Sequence, residues 1–267
     1  MGPAPIITLT TDFGLADHYV GVTKGVIASI YPEARTVDIS HEVRPYCVAE
    51  GAFRIAQAYR YFPAATVHLV VIDPGVGGSR RPIAALAGGH YFVGPDNGVF
   101  SQVFEKETPL VRQVDVARYG LQPLSRTFHG RDLFAPTAAW LAKGGLFEEI
   151  GKLISDPQTL PATSPVEVEP GHWQGRVLNI DRFGNLVTSF EAARFGILSG
   201  FRLSVGQLDV RRLAGSYAES PGEEPFLIEG SSGYLEVSIN QQSAAQRAGA
   251  LIGQLAELWV GAEANKA

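Results

Sequence analysis

The chain has 267 residues, 45% hydrophobic and 18% charged, which is enough apolar material for one large domain or two modest ones. Its net charge of −5 offers no basic surface to a nucleic-acid backbone, and no apolar run approaches the roughly 18 residues of a membrane helix. The single cysteine, Cys47, excludes an intrachain disulfide framework, and with no basic leader ahead of the first apolar run a cytoplasmic location is expected.

In chain order, "PIITLTT" reads as a strand, residues 17–30 as a helix with Asp17 as its N-cap, and "TVDIS" as a second strand. Residues 48–59 read as a helix with Cys47 a small buried residue near its start, and "TVHLVVI" as a third strand. This rhythm predicts βαβ units around a mainly parallel central sheet. "RPIAALA" and "HYFVG" are two further strands joined by Gly88-Gly89, "LVRQVDV" is another, and residues 132–143 carry apolar positions at helical spacing. The expected α/β domain spans residues 1–155 and is followed by a proline-rich linker over residues 156–170. Over residues 171–267, "GRVLNI", "NLVTSF", "FRLSVG", "PFLIEG" and "YLEVSI" are short strands between turn residues, so a smaller all-β, barrel-like domain is expected.

In open α/β sheets ligands gather at the carboxyl ends of strands, where three segments carry reactive side chains. "TTDFGLADHY" puts Asp12 on the loop after the first strand, beside a glycine that permits a sharp turn; an acid there suits the two hydroxyls of a ribose. "VIDPGVGGSRRPI" places Asp73, Arg80 and Arg81 around a flexible turn, and "RTFHGRDLFAP" places His129 at a helix start. Taken singly, each has a plain alternative: a turn aspartate, a structural histidine, a local Arg131–Asp132 ion pair. Familiar motifs fail on order or spacing. "DFG" precedes "HGRD" by more than a hundred residues, the reverse of a protein kinase; "GVGG" lacks the dinucleotide spacing; and the histidines show no paired metal-ligand spacing, so no metal is expected.

Together, "TLTTDFGLADHYVGVTKGVI", "VVIDPGVGGSRRPIAA", "VGPDNGVF", "TFHGRDLFAPTAAWLA", "NIDRFGNLVTSF" and "EGSSGYLEVSINQQSAA" resemble the S-adenosylmethionine (SAM) hydroxide adenosyltransferases, or SAM hydrolases, which are related to the fluorinases and chlorinases. The resemblance runs in unbroken order from Ile6 to Trp259. It implies displacement at ribose C5′ of SAM by water, giving adenosine and L-methionine with no cofactor, in a homotrimer whose sites lie at subunit interfaces. It implies a catalytic set of Asp73, Arg80 and His129, with Asp12 on the ribose hydroxyls. Asp181 and Asn185 would hold the methionine ammonium and carboxylate, and Ser231 and Ser232 the carboxylate. Backbone groups of Ile239 and Gln241 would read the adenine edge, and Phe128 and Phe183 would supply aromatic surface. Without the resemblance, Asp181 and Asn185 read as turn formers.

The chemistry agrees. A sulfonium sulfur leaves as a neutral thioether and needs no acid, so the task is to align water and take its proton. Arg80 suits the first role and Asp73 or His129 the second, with Arg81 expected to point the opposite way. The halogenases carry tyrosine where Asp73 stands and lack a counterpart of His129; a carboxylate repels halide and favours water. The alternatives are a chlorinase-like SAM-dependent 5′-halogenase and a non-catalytic SAM- or adenosine-binding protein.

Overall fold

The run from Val67 to Ile72 shows no polar alternation because both of its faces are covered. Val67, Leu69 and Val71 enter one apolar cluster and Val70 and Ile72 another. The computed structural model describes residues 5–195 and 200–261, and the chain divides into two compact units, residues 1–160 and 161–267.

In the first unit, β1 (Ile6–Thr11), β2 (Arg35–Ser40), β3 (Val67–Val71), β4 (Pro82–Ala87), β5 (His90–Pro95), β6 (Leu110–Gln113) and β7 (Leu153–Ile154) form one sheet in the order β2-β1-β3-β5-β4-β6-β7. Helix α1 (Tyr19–Ile30) links β1 to β2, and α2 (Val48–Ala58) links β2 to β3. The short α3 (Ser101–Phe104) and α4 (Val116–Tyr119) follow, then a π-helical turn (Gly130–Phe134) that runs into α5 (Ala135–Ala142). Residues of α1 and α5 cover one face of the sheet, and residues of α2 and α3 the other. Because the chain leaves β1 for β2 on one side and returns to β3 on the other, the loops after β1 and β3 flank a crevice at a topological switch point.

The sheet is mixed, which corrects the expectation of a mainly parallel one. The β2–β1, β1–β3 and β3–β5 pairs are parallel, and β5–β4, β4–β6 and β6–β7 are antiparallel. The cause is the connection Gly88-Gly89. Two residues at φ 55° and 78° close a hairpin pairing Ala87 with His90, whereas a parallel neighbour needs a crossover of a dozen or more residues. Asp17 is not the N-cap of α1: the helix begins at Tyr19 after His18, with no side-chain cap.

The proline-rich segment is ordered by polar contacts. Arg81 binds Asp156, Gln158 N–H donates to Asp96, and Leu160 N–H donates to Ser101. Further on, β8 (Val166–Glu169) pairs with β9 (His172–Ile180). Strands β10 (Leu186–Glu191), β11 (Phe201–Val205), β12 (Leu208–Val210), β13 (Leu213–Ala214), β14 (Phe226–Glu229), β15 (Tyr234–Ser238) and β16 (Leu255–Val260) complete the second unit, with α6 (Ala192–Phe195) and α7 (Ala244–Ala248). Its sheet runs β12-β11-β16-β9-β10-β15-β14-β13. Strand β9 pairs with β16 over residues 172–176 and with β10 over residues 177–180, so the sheet curls where β9 changes partner. Gly175 permits this: a Cβ there would stand 2.5 Å from Ser189 Oγ. The result is a half-barrel around Phe190, Phe201, Leu203, Leu235 and Leu258.

Candidate active site

The turn after β3 is built to return its arginine to its aspartate. Val76 N–H donates to Asp73 O and Gly78 N–H to Gly75 O, closing two successive tight turns. Gly77 takes φ 74°, and a Cβ there would lie 2.2 Å from Arg126 O, so this position admits glycine alone. Arg80 then folds back on Asp73. Its Nε donates to both carboxylate oxygens at 3.0 and 3.1 Å, and its Nη2 donates to Oδ2 at 2.5 Å. The side chains of Arg80 and Asp73 are only 10% and 5% exposed, so this is a fork pair shielded from water. The guanidinium also lies 5.1 Å from the centroid of Phe134 in the π-helical turn.

Arg80 Nη2 stands 2.8 Å from His129 Nδ1. A guanidinium can only donate, so Nδ1 is the acceptor and the neutral imidazole carries its proton on Nε2. Burial, and then the neighbouring Arg80 charge, push the His129 pKa below its usual value, which keeps that neutral form. With Nδ1 engaged, His129 has no lone pair left for a further proton, whereas the Asp73 carboxylate retains acceptor capacity. Arg80 Nη1 has no protein acceptor among the described residues. Arg81 points elsewhere, to Asp96 at 2.7 Å and Asp156 at 2.8 Å.

A cavity of about 380 Å³ opens on this cluster, lined by Asp12, Tyr46, Asp73, Phe128 and His129 among others. Asp12 Oδ2 accepts from Tyr46 N–H at 2.9 Å. Burial raises the Asp12 pKa against that hydrogen bond, and the Asp73 charge adds to the rise. Asp73 is neutralised by Arg80, so Asp12 is the carboxylate on this cavity lining with no guanidinium bound to it among the described residues. Phe128 meets Phe13 and Tyr19 edge-on at centroid distances of 5.6 and 5.0 Å. Gly130 keeps these rings together, since a Cβ there would approach Phe13 and Phe128 to 3.1 and 3.2 Å. Sequence reasoning missed Phe13, Tyr19 and Tyr46 as lining residues. Phe13 and Tyr19 flank Asp12 in the same motif, but Tyr46 reaches Asp12 from 34 positions away at φ 67°, which no local pattern signals.

In the second unit, the Asp181 carboxylate accepts from Phe183 N–H, Asn185 N–H and Asn185 Nδ2 at 2.8–2.9 Å, fixing the turn between β9 and β10. Asn185 Nδ2 also donates to Tyr217 OH at 3.3 Å. Phe183 is 79% exposed and packs no core. Ser231 and Ser232 form the β14–β15 turn, closed by Gly233 N–H donating to Gly230 O, and Ser232 Oγ is buried without a partner. Ile239 and Gln241 stand at a bridge after β15, where Ile239 pairs with Gln242 and Gln241 takes φ 56°. Asp12, Asp73, Phe128 and His129 thus line one cavity, with Arg80 held against Asp73 and His129, while the other seven predicted residues belong to the second unit. Among the described residues no group of three or more His, Cys, Asp or Glu side chains forms a metal centre, and no helix is long and apolar enough to cross a membrane.

An α/β unit with a carboxylate–guanidinium–imidazole cluster at its strand ends, followed by a curled β unit, defines a two-domain protein equipped for proton handling. The chain belongs to the SAM hydroxide adenosyltransferase family: residues 7–151 match the family's N-terminal domain and residues 175–257 its C-terminal domain. It is 40% identical to a protein of Thermus thermophilus named (R)-S-adenosyl-L-methionine hydrolase, over 90% of this chain and 93% of that one. A protein of Actinoplanes named fluorinase is 30% identical, over 88% and 91%. A solved structure of an uncharacterized conserved protein from Thermotoga maritima superposes with a TM-score of 0.87 at 35% identity, covering 95% of this chain and 99% of that one.

Proposed function

We propose that the protein hydrolyses SAM to adenosine and L-methionine by attack of water at ribose C5′. The observation that carries this is the Asp73–Arg80–His129 cluster on a cavity that Asp12 also lines, in a chain 40% identical to a named (R)-SAM hydrolase.

Arg80 Nη1 donates to the attacking oxygen and holds it in line with the C5′–S bond, its charge stabilising developing hydroxide. Asp73 takes the proton, because the one lone pair of neutral His129 is already occupied by Arg80. His129 fixes the guanidinium and offers its Nε2–H as a donor. The sulfur leaves as a neutral thioether, so no second acid is required. Asp12 grips the ribose hydroxyls, and its carboxylate favours a cationic substrate. Asp181, Asn185, Ser231 and Ser232 hold the methionine half, the backbone of Ile239 and Gln241 the adenine, and Phe128 and Phe183 add aromatic surface. No organic cofactor or metal enters these steps.

This reading includes a cytoplasmic homotrimer with its sites at subunit interfaces. Tyr46 and Phe183, 74% and 79% exposed beside the proposed binding groups, suit burial by a neighbouring subunit. Light scattering should give three times the chain mass of 28.6 kDa. Fluorinase-named relatives make halide the competing nucleophile, and the Asp73 carboxylate argues for water. Incubation with each sulfonium epimer of SAM, with and without chloride, tests this by chromatography. Adenosine and methionine in both salts support it; a 5′-halonucleoside formed faster than adenosine, or no turnover of either epimer, overturns it.

A further inference from the structure

The β9–β10–β15–β14 register lines up a second set of acceptors in the second unit. Asn179 stands opposite Val187, Val187 opposite Glu236, and Glu236 opposite Ile228. Directly opposed residues share a face, so Asn179 and Glu236 lie on the same face, on either side of Val187 in the intervening strand β10. Asp181, two positions beyond Asn179, belongs to that face as well. Asn179 is 9% exposed, and its Oδ1 is buried without a hydrogen-bond partner. Glu236 is 8% exposed, and no hydrogen bond to its carboxylate forms among the described residues. Its head lies under the β14–β15 turn, where a Cβ on Gly230 would come within 1.8 Å of Oε1, so Gly230 leaves the space the carboxylate occupies.

Holding an amide oxygen fully buried and a carboxylate largely buried without donors is unfavourable, and in native proteins such groups mark places where water, an ion or a ligand supplies the donors. Asp181 already has its three donors; Glu236 and Asn179 do not. A group carrying several N–H donors, no acceptor and a positive charge is an ammonium or a guanidinium, and of the two SAM carries an ammonium. We infer that Glu236, assisted by Asn179 Oδ1, is a second anionic receptor for the α-ammonium of the methionine half, acting beside Asp181 as a substrate-positioning and specificity residue. This rests on the proposed hydrolysis of SAM.

The arrangement has a consequence for pH. Burial and then the Asp181 charge push the Glu236 pKa up to about 7, and Tyr217, whose own pKa is raised, is the other titratable group facing it. Glu236 therefore attracts the ammonium fully only above neutrality, and the KM for SAM should rise as pH falls through about 7.

The test compares the full-length protein with Glu236→Gln, which keeps the side-chain volume and removes the charge. Calorimetry uses L-methionine and 4-(methylthio)butanoate, the same molecule without its ammonium. Glu236→Gln should weaken L-methionine about tenfold or more and leave 4-(methylthio)butanoate within about twofold. It should also flatten the pH dependence of the SAM KM while leaving kcat close to wild type. Glu236→Asp, which keeps the charge one methylene short, should fall between the two and serves if the Gln variant fails to fold. Equal methionine affinity in Glu236→Gln and wild type, with SAM still hydrolysed, overturns this inference alone. Equal loss of both ligands also overturns it, because a merely structural role is then indicated. A wild-type protein that neither hydrolyses SAM nor binds methionine removes this inference and the hydrolase reading together.

Discussion

The two polar clusters solve opposite problems. In the first unit Asp73, Arg80 and His129 satisfy one another: the fork pair shares its charge and the imidazole accepts from the guanidinium. In the second, Asn179 Oδ1 is buried with nothing donating to it, and the carboxylate of Glu236, a residue 8% exposed, accepts no hydrogen bond among the described residues. A cluster closed on itself is preorganised and costs no reorganisation at the moment of reaction. A cluster left short of donors holds its binding energy in reserve for a ligand. The first should therefore govern rate and the second affinity.

The sharpest way to break this contrast is Arg80→Ala. It should lower kcat by about 10²–10³ with the SAM KM little changed. It also leaves Asp73 buried and unpaired, so a stability loss of about 3 kcal/mol is expected by denaturant titration. A KM increase equal to the loss in rate would instead make Arg80 a ligand clamp.

Gly77→Ala probes the same cluster through its backbone. With φ 74° and Arg126 O 2.2 Å from the new Cβ, it should cost about 2 kcal/mol and lower kcat by displacing Arg80. Unchanged stability and rate would show that the turn does not position the arginine.

A third experiment separates the site from the scaffold. His68, fully buried between Thr8 and His90, has its pKa pushed down to about 3 by burial and then by His90. Its folded pKa lies below the unfolded value of about 6.5, so stability is complete above that value and declines as pH falls from 6.5 toward 3. About 2 kcal/mol should be lost between pH 6.5 and 4.5, and His68→Gln should reduce that slope without altering the pH profile of catalysis.

The smallest effect concerns Glu236. Its raised pKa means the folded state holds the proton more tightly, so its stability contribution is present below about 4.5 and lost as pH rises through about 7. Glu236→Gln should consequently raise Tm by a few degrees at pH 8 and leave it unchanged at pH 4.5. A lower Tm at pH 8 would mean that the charge is already compensated within the protein.

Legibility in the sequence followed the range of the interactions. The central strands were readable because their apolar runs and turn residues are local. The pairing of Arg80 with Asp73 was legible through the family resemblance, and the glycines between them permit the tight turn it needs. The direction of β4 was misjudged although Gly88-Gly89 already excluded a crossover helix. Asp17 looked like a cap on identity alone, but the chain enters α1 two residues later. Tyr46 was invisible because its tie to Asp12 spans two loops. Glu236 was hidden by its own pattern: in "YLEVSI" it alternates with Leu235 and Val237, which predicts a solvent-facing strand position, yet that face is buried.

The central claim is that the cluster after β3 aims one water molecule at a sugar carbon. Turnover of SAM in water enriched in heavy oxygen, with mass analysis of both products, tests it most directly. The account predicts a single heavy oxygen in the 5′-hydroxyl of adenosine and none in methionine. Label in methionine, or unlabelled adenosine from a complete reaction, would contradict it.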